Sequence, residues 1–331
     1  MANKKNVKGL DLGTSHIVMA CHGEEKGYEF KQELNAFVEI PFSQITVNML
    51  KKKGIPHRLD GDVCFAFGNG AEQFANMTGG DTRRPMYSGL LNPNEPKSLE
   101  MTEEALTKVC GKAAQGEKIC FSVPSAPPQS ESDLTFHQRT VTQMLEGLGY
   151  KVKSLNEGLA VVYADLEEDS FTGIGISFGG GMCNVCVAYL GMPALSFCTV
   201  QAGDYIDRST ASVTNETTTT VRLYKEKGFS INGLSQNSLD QALSVYYGNM
   251  IRGITERLEK EVASSKKLPR FEEPIPVVIS GGSALAGGFH RELAKSFKEI
   301  SLPFEISQVK MAEDPFNSTA KGTLLAATLE M

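Results

Sequence analysis

The chain has no excess of basic residues: 33 lysines and arginines stand against 39 aspartates and glutamates, for a formal net charge of -6 and a pI near 5.6. That balance argues against a nucleic-acid binder held by general attraction to phosphate. No apolar run approaches the roughly 18 to 20 residues of a membrane-spanning helix, and no N-terminal amphipathic helix offers a direct membrane anchor. Met1 to Lys8 is short and basic and runs into a strand without the apolar core of a signal peptide. The seven cysteines are odd in number and scattered, which fits a reducing compartment better than a disulfide framework, so a cytoplasmic location is expected. What the chain does hold is bulk. Its 331 residues, 41% hydrophobic, suffice for one large or two ordinary domains with sizeable cores.

The stretch Lys8-Gly9-Leu10-Asp11-Leu12-Gly13-Thr14-Ser15-His16-Ile17-Val18-Met19-Ala20 joins an apolar strand to a glycine-kinked polar turn and a second apolar strand. Gly13 permits the reversal, while Thr14 and Ser15 offer hydroxyls and N–H groups to an anion. Asp11 cannot meet phosphate without repulsion, so a divalent cation or an ordered water between them is the sensible role, with magnesium and a nucleotide as the candidates. Taken alone, the stretch also fits an ordinary hairpin in which Asp11 helps the turn. The same design returns from Thr172 to Ala188, where Ser177 precedes Gly179-Gly180-Gly181, and Asp11 and Ser177 lie 166 residues apart. Two such hairpins suit a phosphate held between duplicated halves. A third glycine turn, Ser280-Gly281-Gly282-Ser283, ends the apolar strand from Pro276 and leads toward a helix from Phe289 to Phe297.

Between these turns the spacing predicts a strand over Tyr28–Val38, then an inserted lobe from Ile45 to Gly70 in which Lys51-Lys52-Lys53 is a solvated loop. Helices are expected at Ala71–Met77, Thr102–Cys110, Ser130–Gly147, Glu157–Leu166, Leu239–Val262 and Ala320–Leu329. Strands are expected at Lys118–Pro124 and Lys151–Leu155. Arg83 to Leu90 reads as a loop returning to the main body. Glu157, in the first turn of its helix, complements the helix dipole on the simplest reading.

With these motifs placed, the whole chain resembles the actin, sugar kinase and heat-shock chaperone ATPase superfamily, and within it the bacterial actins of the MreB and MamK type. Gly9-Leu10-Asp11-Leu12-Gly13-Thr14-Ser15 is similar to that family's first phosphate loop, Ser177-Phe178-Gly179-Gly180-Gly181 to its second, and Ile279-Ser280-Gly281-Gly282-Ser283 to its adenosine loop. Arg84-Pro85-Met86-Tyr87-Ser88-Gly89-Leu90 resembles the Arg-Pro-Met/Leu-Lys-Asp-Gly-Val stretch of MreB. Val221-Arg222-Leu223-Tyr224-Lys225-Glu226 resembles the actin helix whose lysine and glutamate touch the nucleoside.

The resemblance implies an α/β actin-like fold of two duplicated ribonuclease H-like halves around a nucleotide cleft. The first half would span 1–158, with a small lobe at about 33–80 and a helix at 315–331 returning to it; the second would span 159–314, with its own lobe at about 206–254. ATP or ADP with Mg2+ would occupy the cleft. Asp11 would organise the metal through water, and Glu157 would position the attacking water. Gly13, Thr14, Ser15, Gly179, Gly180, Gly181, Gly203, Asp204, Lys225, Glu226, Gly281, Gly282 and Ser283 would contact the nucleotide. Ser177 stands where the family usually has an aspartate and Met182 where it often has a threonine, so nucleotide binding is expected to survive while hydrolysis is slowed. The implied function is ATP-dependent assembly into a cytoskeletal homopolymer, with cytoplasmic adaptor proteins as further partners. A non-polymerising adaptor or scaffold of the same fold is the alternative. A small-molecule kinase is disfavoured by the small inserted lobes, and a chaperone by the lack of a following substrate-binding domain.

Overall fold

The structure, a computed structural model, describes residues 6–23, 27–78, 82–126, 131–231, 233 and 237–331. Residues 1–5, the lobe boundary expected near residue 80 and the helix start expected at Ser130 lie outside them.

Apolar residues alternating with polar ones make β1 (Val7–Leu12), β2 (His16–His22) and β3 (Tyr28–Leu34) an antiparallel meander. The strand expected over Tyr28–Val38 is in fact two strands in two sheets. Asn35 breaks the ladder because its N–H donates to Ser15 O at 2.8 Å and its side chain to Gly13 O at 2.9 Å, pulling the chain toward the first turn. Beyond it, β4 (Phe37–Pro41), α1 (Gln44–Lys52), β5 (His57–Asp60), β6 (Val63–Phe67) and α2 (Asn69–Thr78) form a lobe with its own three-stranded sheet, ordered β4-β6-β5. Its core gathers Val47, Leu50, Cys64, Ala66 and Ala71. Lys51, Lys52 and Lys53 are exposed as expected, but Lys51 and Lys52 complete α1 rather than a loop. Burial of Val47 and Leu50 fixes the helix, and cations suit its C-terminal end.

The expected loop at Arg83–Leu90 contains a minimal hairpin, β7 (Met86–Tyr87) with β8 (Leu90–Leu91). The first large sheet is then completed by α3 (Ser98–Cys110), β9 (Lys118–Val123), α4 (Glu131–Gly147) and β10 (Lys151–Asn156), in the order β10-β9-β1-β2-β3. After α5 (Glu157–Asp165) the plan repeats. β11 (Gly173–Phe178), β12 (Cys183–Tyr189) and β13 (Met192–Thr199) are the antiparallel meander; α6 (Gly203–Thr214), α7 (Thr218–Glu226) and α8 (Ser238–Ser264) follow. β14 (Ile275–Ser280), α9 (Phe289–Phe297) and β15 (Ile306–Met311) supply the parallel strands, and α10 (Ser318–Glu330) ends the series. The second sheet, ordered β15-β14-β11-β12-β13, matches the first strand for strand.

α5 and α10 exchange places. α5 leaves the first sheet and packs on β11 and β12, α10 leaves the second sheet and packs on β1, and the two helices pack on each other. Close approach is built in at equivalent glycines: a Cβ on Gly9 would lie 2.3 Å from Ala320 O, and one on Gly175 would lie 2.2 Å from Gly158 O. Cys183 and Cys186, spaced as a C-x-x-C pair, belong to opposite faces of β12, one in the core with Phe178 and Phe197 and the other in the core with α5. A strand separates such residues, so they form neither a metal clip nor a redox couple. Among the described residues no helix is long and apolar enough to cross a membrane.

Candidate functional site

The two hairpin tips have the same geometry. Gly13 N donates to His16 O at 3.0 Å in the first, and Gly179 N donates to Met182 O at 3.0 Å in the second. The tips face each other across a cavity of about 330 Å³, within the roughly 300 to 1,000 Å³ typical of small-molecule sites. Every residue assigned above to catalysis, metal or nucleotide lines this one cavity, together with Ser177, His16, Asp207, Arg222 and Phe316. Among the described residues no bond engages the N–H groups of Thr14, Ser15, Gly180 or Gly181.

Contact between the tips explains the glycines. A Cβ on Gly180 would lie 2.5 Å from Ser15 Oγ, and one on Gly181 would lie 2.3 Å from Thr14 Oγ1. The triple glycine therefore serves approach of one loop to the other as well as approach of a ligand. Gly203 and Asp204 reach the cavity at the start of α6, but their amides are engaged on the second loop: Gly203 N donates to Gly179 O at 3.1 Å and Asp204 N to Gly180 O at 2.7 Å. Ser283 Oγ also donates to Gly179 O, at 3.0 Å. In a planar trans peptide the C=O and the next N–H point opposite ways, so these bonds turn the Gly180 and Gly181 N–H groups away from α6.

The floor is acidic and buried. Asp11 Oδ1 accepts from Ser122 Oγ at 2.8 Å, and Glu157 Oε2 accepts from Asn184 Nδ2 at 2.8 Å. Burial raises both carboxyls above their usual range, and the Asp11 charge raises Glu157 further. Asn156, the residue before α5, accepts from Leu159 N and so caps the helix on which Glu157 is the first residue. Glu157 thus sits at a helix N-terminus, as the dipole reading required, and also points into the cavity. Asp207, raised to about 6 by burial, accepts from Lys225 Nζ at 2.6 Å, so Lys225 is tied to α6 at the cavity wall. His16 is pushed down to about 4 by burial and by Arg84 and Arg222, and packs edge-on against Phe316.

Several roles here escaped the sequence reading, which named Arg84, Gly89 and Arg222 only as parts of motifs. Arg84 Nη1 donates to Ser15 Oγ at 2.8 Å and to Asp204 Oδ1 at 3.0 Å, bridging a first-hairpin residue and α6. Gly89 N donates to Thr14 Oγ1 at 2.9 Å. Arg222 on α7 pairs with Glu72 on α2. Asn184 and Ser122 are isolated polar residues in apolar strands, a weak signal that only the pairing of the strands makes specific.

No group of three or more His, Cys, Asp or Glu side chains among the described residues forms a metal cage. Two buried carboxyls with no cation bonded to either suit a magnesium ion that keeps most of its waters and takes its other ligands from phosphates.

Comparison with known proteins agrees with this architecture. The solved MamK double helical filament matches with a TM-score of 0.72 at 18% identity, over 97% of this chain and 98% of that one. MreB5 of Spiroplasma citri bound to AMPPNP matches with a TM-score of 0.67 at 15% identity, over 97% and 96%. The ethanolamine utilization protein EutJ from Carboxydothermus hydrogenoformans matches with a TM-score of 0.57 at 14% identity, over 96% and 88%. Such identities speak for the fold alone, and the fold is actin-like: two ribonuclease H-like halves about a cleft. Among curated proteins none matches the sequence significantly. The sequence profile of the volactin family, in contrast, matches residues 7–327, and with the fold and cleft in agreement the chain belongs to the volactin family.

Proposed function

We propose that this volactin-family protein binds ATP or ADP with Mg2+ in the cleft and assembles with copies of itself into cytoskeletal filaments, hydrolysing the nucleotide slowly. The observation that carries the reading is the pair of matching hairpin tips, both lining one cavity and both with amides that no bond engages among the described residues. Thr14, Ser15, Gly180 and Gly181 would take the phosphates, and Gly281, Gly282, Lys225 and Glu226 the nucleoside side of the same cavity. Asp11 and Glu157 would hold the waters of the metal. When bound, the metal would neutralise phosphate charge and lend acidity to its waters. Glu157, held by Asn184, would orient a water and accept its proton; Ser177 would offer a hydroxyl where a carboxylate would accept a proton more readily. That division supports retained binding with weak turnover.

Assembly follows from the same cleft, since a ligand gripped by both halves sets their relative position, and a head-to-tail contact between copies extends without closure. Solved neighbours include a MamK filament and an AMPPNP-bound MreB5, which supports this reading by analogy of fold. Sedimentation and light scattering at tens of micromolar, followed by negative-stain microscopy, test it. ATP with magnesium should yield filaments. A protein that binds ATP but stays monomeric would be the adaptor or scaffold instead.

A further inference from the structure

The second phosphate loop is aimed by the start of α6, whose amides hold the loop's carbonyls. No helix begins at the equivalent place in the first half. After β3 the chain passes into the small lobe, and the residue at that junction is Asn35, 1% exposed. Its side-chain Nδ2 donates to Gly13 O at 2.9 Å, and its main-chain N donates to Ser15 O at 2.8 Å. Gly13 O and Gly179 O are equivalent atoms of the two hairpins, so one asparagine side chain does in the first half what Gly203 N and Ser283 Oγ do in the second.

From this we infer that Asn35 is a positioning residue for phosphate: by holding the Gly13 carbonyl on its own side, it turns the Thr14 N–H into the cavity. The physical basis is the rigid trans peptide, in which fixing one carbonyl fixes the next amide in the opposite direction. Asn35 Oδ1 is buried and accepts no hydrogen bond among the described residues, so the donor is the working half of the side-chain amide. The inference rests on the nucleotide reading above and adds a residue to it. It also places the aim of the first loop at the junction between a large sheet and the small lobe. Leu34 N donates to Asn69 Oδ1 and Gly68 N to Ala36 O, so the chain entering the lobe is bonded beside Asn35 to the turn between β6 and α2.

The test compares ATP, ADP and adenosine binding to the wild type, Asn35→Leu and Asn35→Asp by calorimetry, with melting curves for each variant. Asn35→Leu keeps the volume and removes the donor. It should weaken ATP and ADP about ten-fold or more, the cost expected for one lost buried hydrogen bond and a misdirected amide, and leave adenosine unchanged. Asn35→Asp donates only while protonated, so its ATP affinity relative to wild type should fall as pH rises, and this variant carries the test if the leucine variant does not fold. Equal losses for adenosine and ATP, or no loss in either variant, would overturn the role of Asn35. A wild type that binds none of the three would instead overturn the proposed function, and this inference with it.

Discussion

Asn184 stands opposite Ser177 across the β11–β12 ladder, donates to Glu157 Oε2 at 2.8 Å, and accepts the Ser125 N–H at 2.8 Å. The residue facing Ser177 is thus the one that holds the Glu157 carboxyl. If Glu157 orients water, Glu157→Ala should abolish phosphate release, and Asn184→Ala should lower it while leaving ATP affinity nearly unchanged. A well-placed catalytic group commonly contributes about 10²- to 10⁴-fold in rate, so steady-state phosphate release will resolve the difference.

Ser177→Asp should raise turnover in the presence of magnesium. It also adds a third carboxyl to a floor where two already resist ionisation. The ligand-free variant should therefore melt at a lower temperature than the wild type, with magnesium and ATP restoring most of the loss. Brisk wild-type hydrolysis that neither Ser177→Asp nor Glu157→Ala alters would show that the catalytic centre lies elsewhere.

The glycine loops make different tests. Gly180→Val should weaken ATP binding, because the new side chain must displace Ser15 Oγ, the end of a short side chain that can rotate. Gly281→Val is expected to fail at folding instead. Gly281 has φ +93°, and its Cβ would lie 2.3 Å from Phe178 O. Circular dichroism melts beside calorimetry separate the two outcomes.

The buried carboxyls impose a pH dependence. Asp11 and Glu157 titrate higher in the fold than in the unfolded chain, so between the two ranges the native state holds protons that the unfolded state has released. Stability of the ligand-free protein should then fall as pH rises from the ordinary carboxylate range to about 8, and Glu157→Gln should flatten the upper part of that fall. Magnesium favours the ionised forms, so its binding with nucleotide should release protons and tighten over the same interval. Calorimetry in buffers of different ionisation enthalpy measures the release; an affinity that weakens as pH rises would refute it.

The residues that line the cavity could largely be read from the chain because a tight turn packed against another loop leaves few choices of residue. Gly13, Gly179 to Gly181 and Gly281-Gly282 each end an apolar strand, and they converge on one cavity. Asn35 and Asn184 could not be read so, since one polar residue has no local pattern and its role depends on a partner far along the chain; Arg84 stood in a motif, but its bonds to Ser15 and Asp204 did not follow from it. β13 and β15 escaped for another reason. Both are edge strands, β13 contains Pro193, and their mixed exposure weakens the alternation that marks a strand. α6 starts after Ala202 with no side-chain cap, so nothing in Gln201-Ala202-Gly203-Asp204 announces a helix.

The exchange of α5 and α10 also governs how the protein is made. β1 leaves the ribosome long before the helix that covers its face, with Ala320 and Leu324 against Gly9. Until α10 arrives, the nascent first sheet carries an uncovered apolar face. Completion of that sheet's core therefore waits for α10, and contacts so distant in sequence are expected to form slowly.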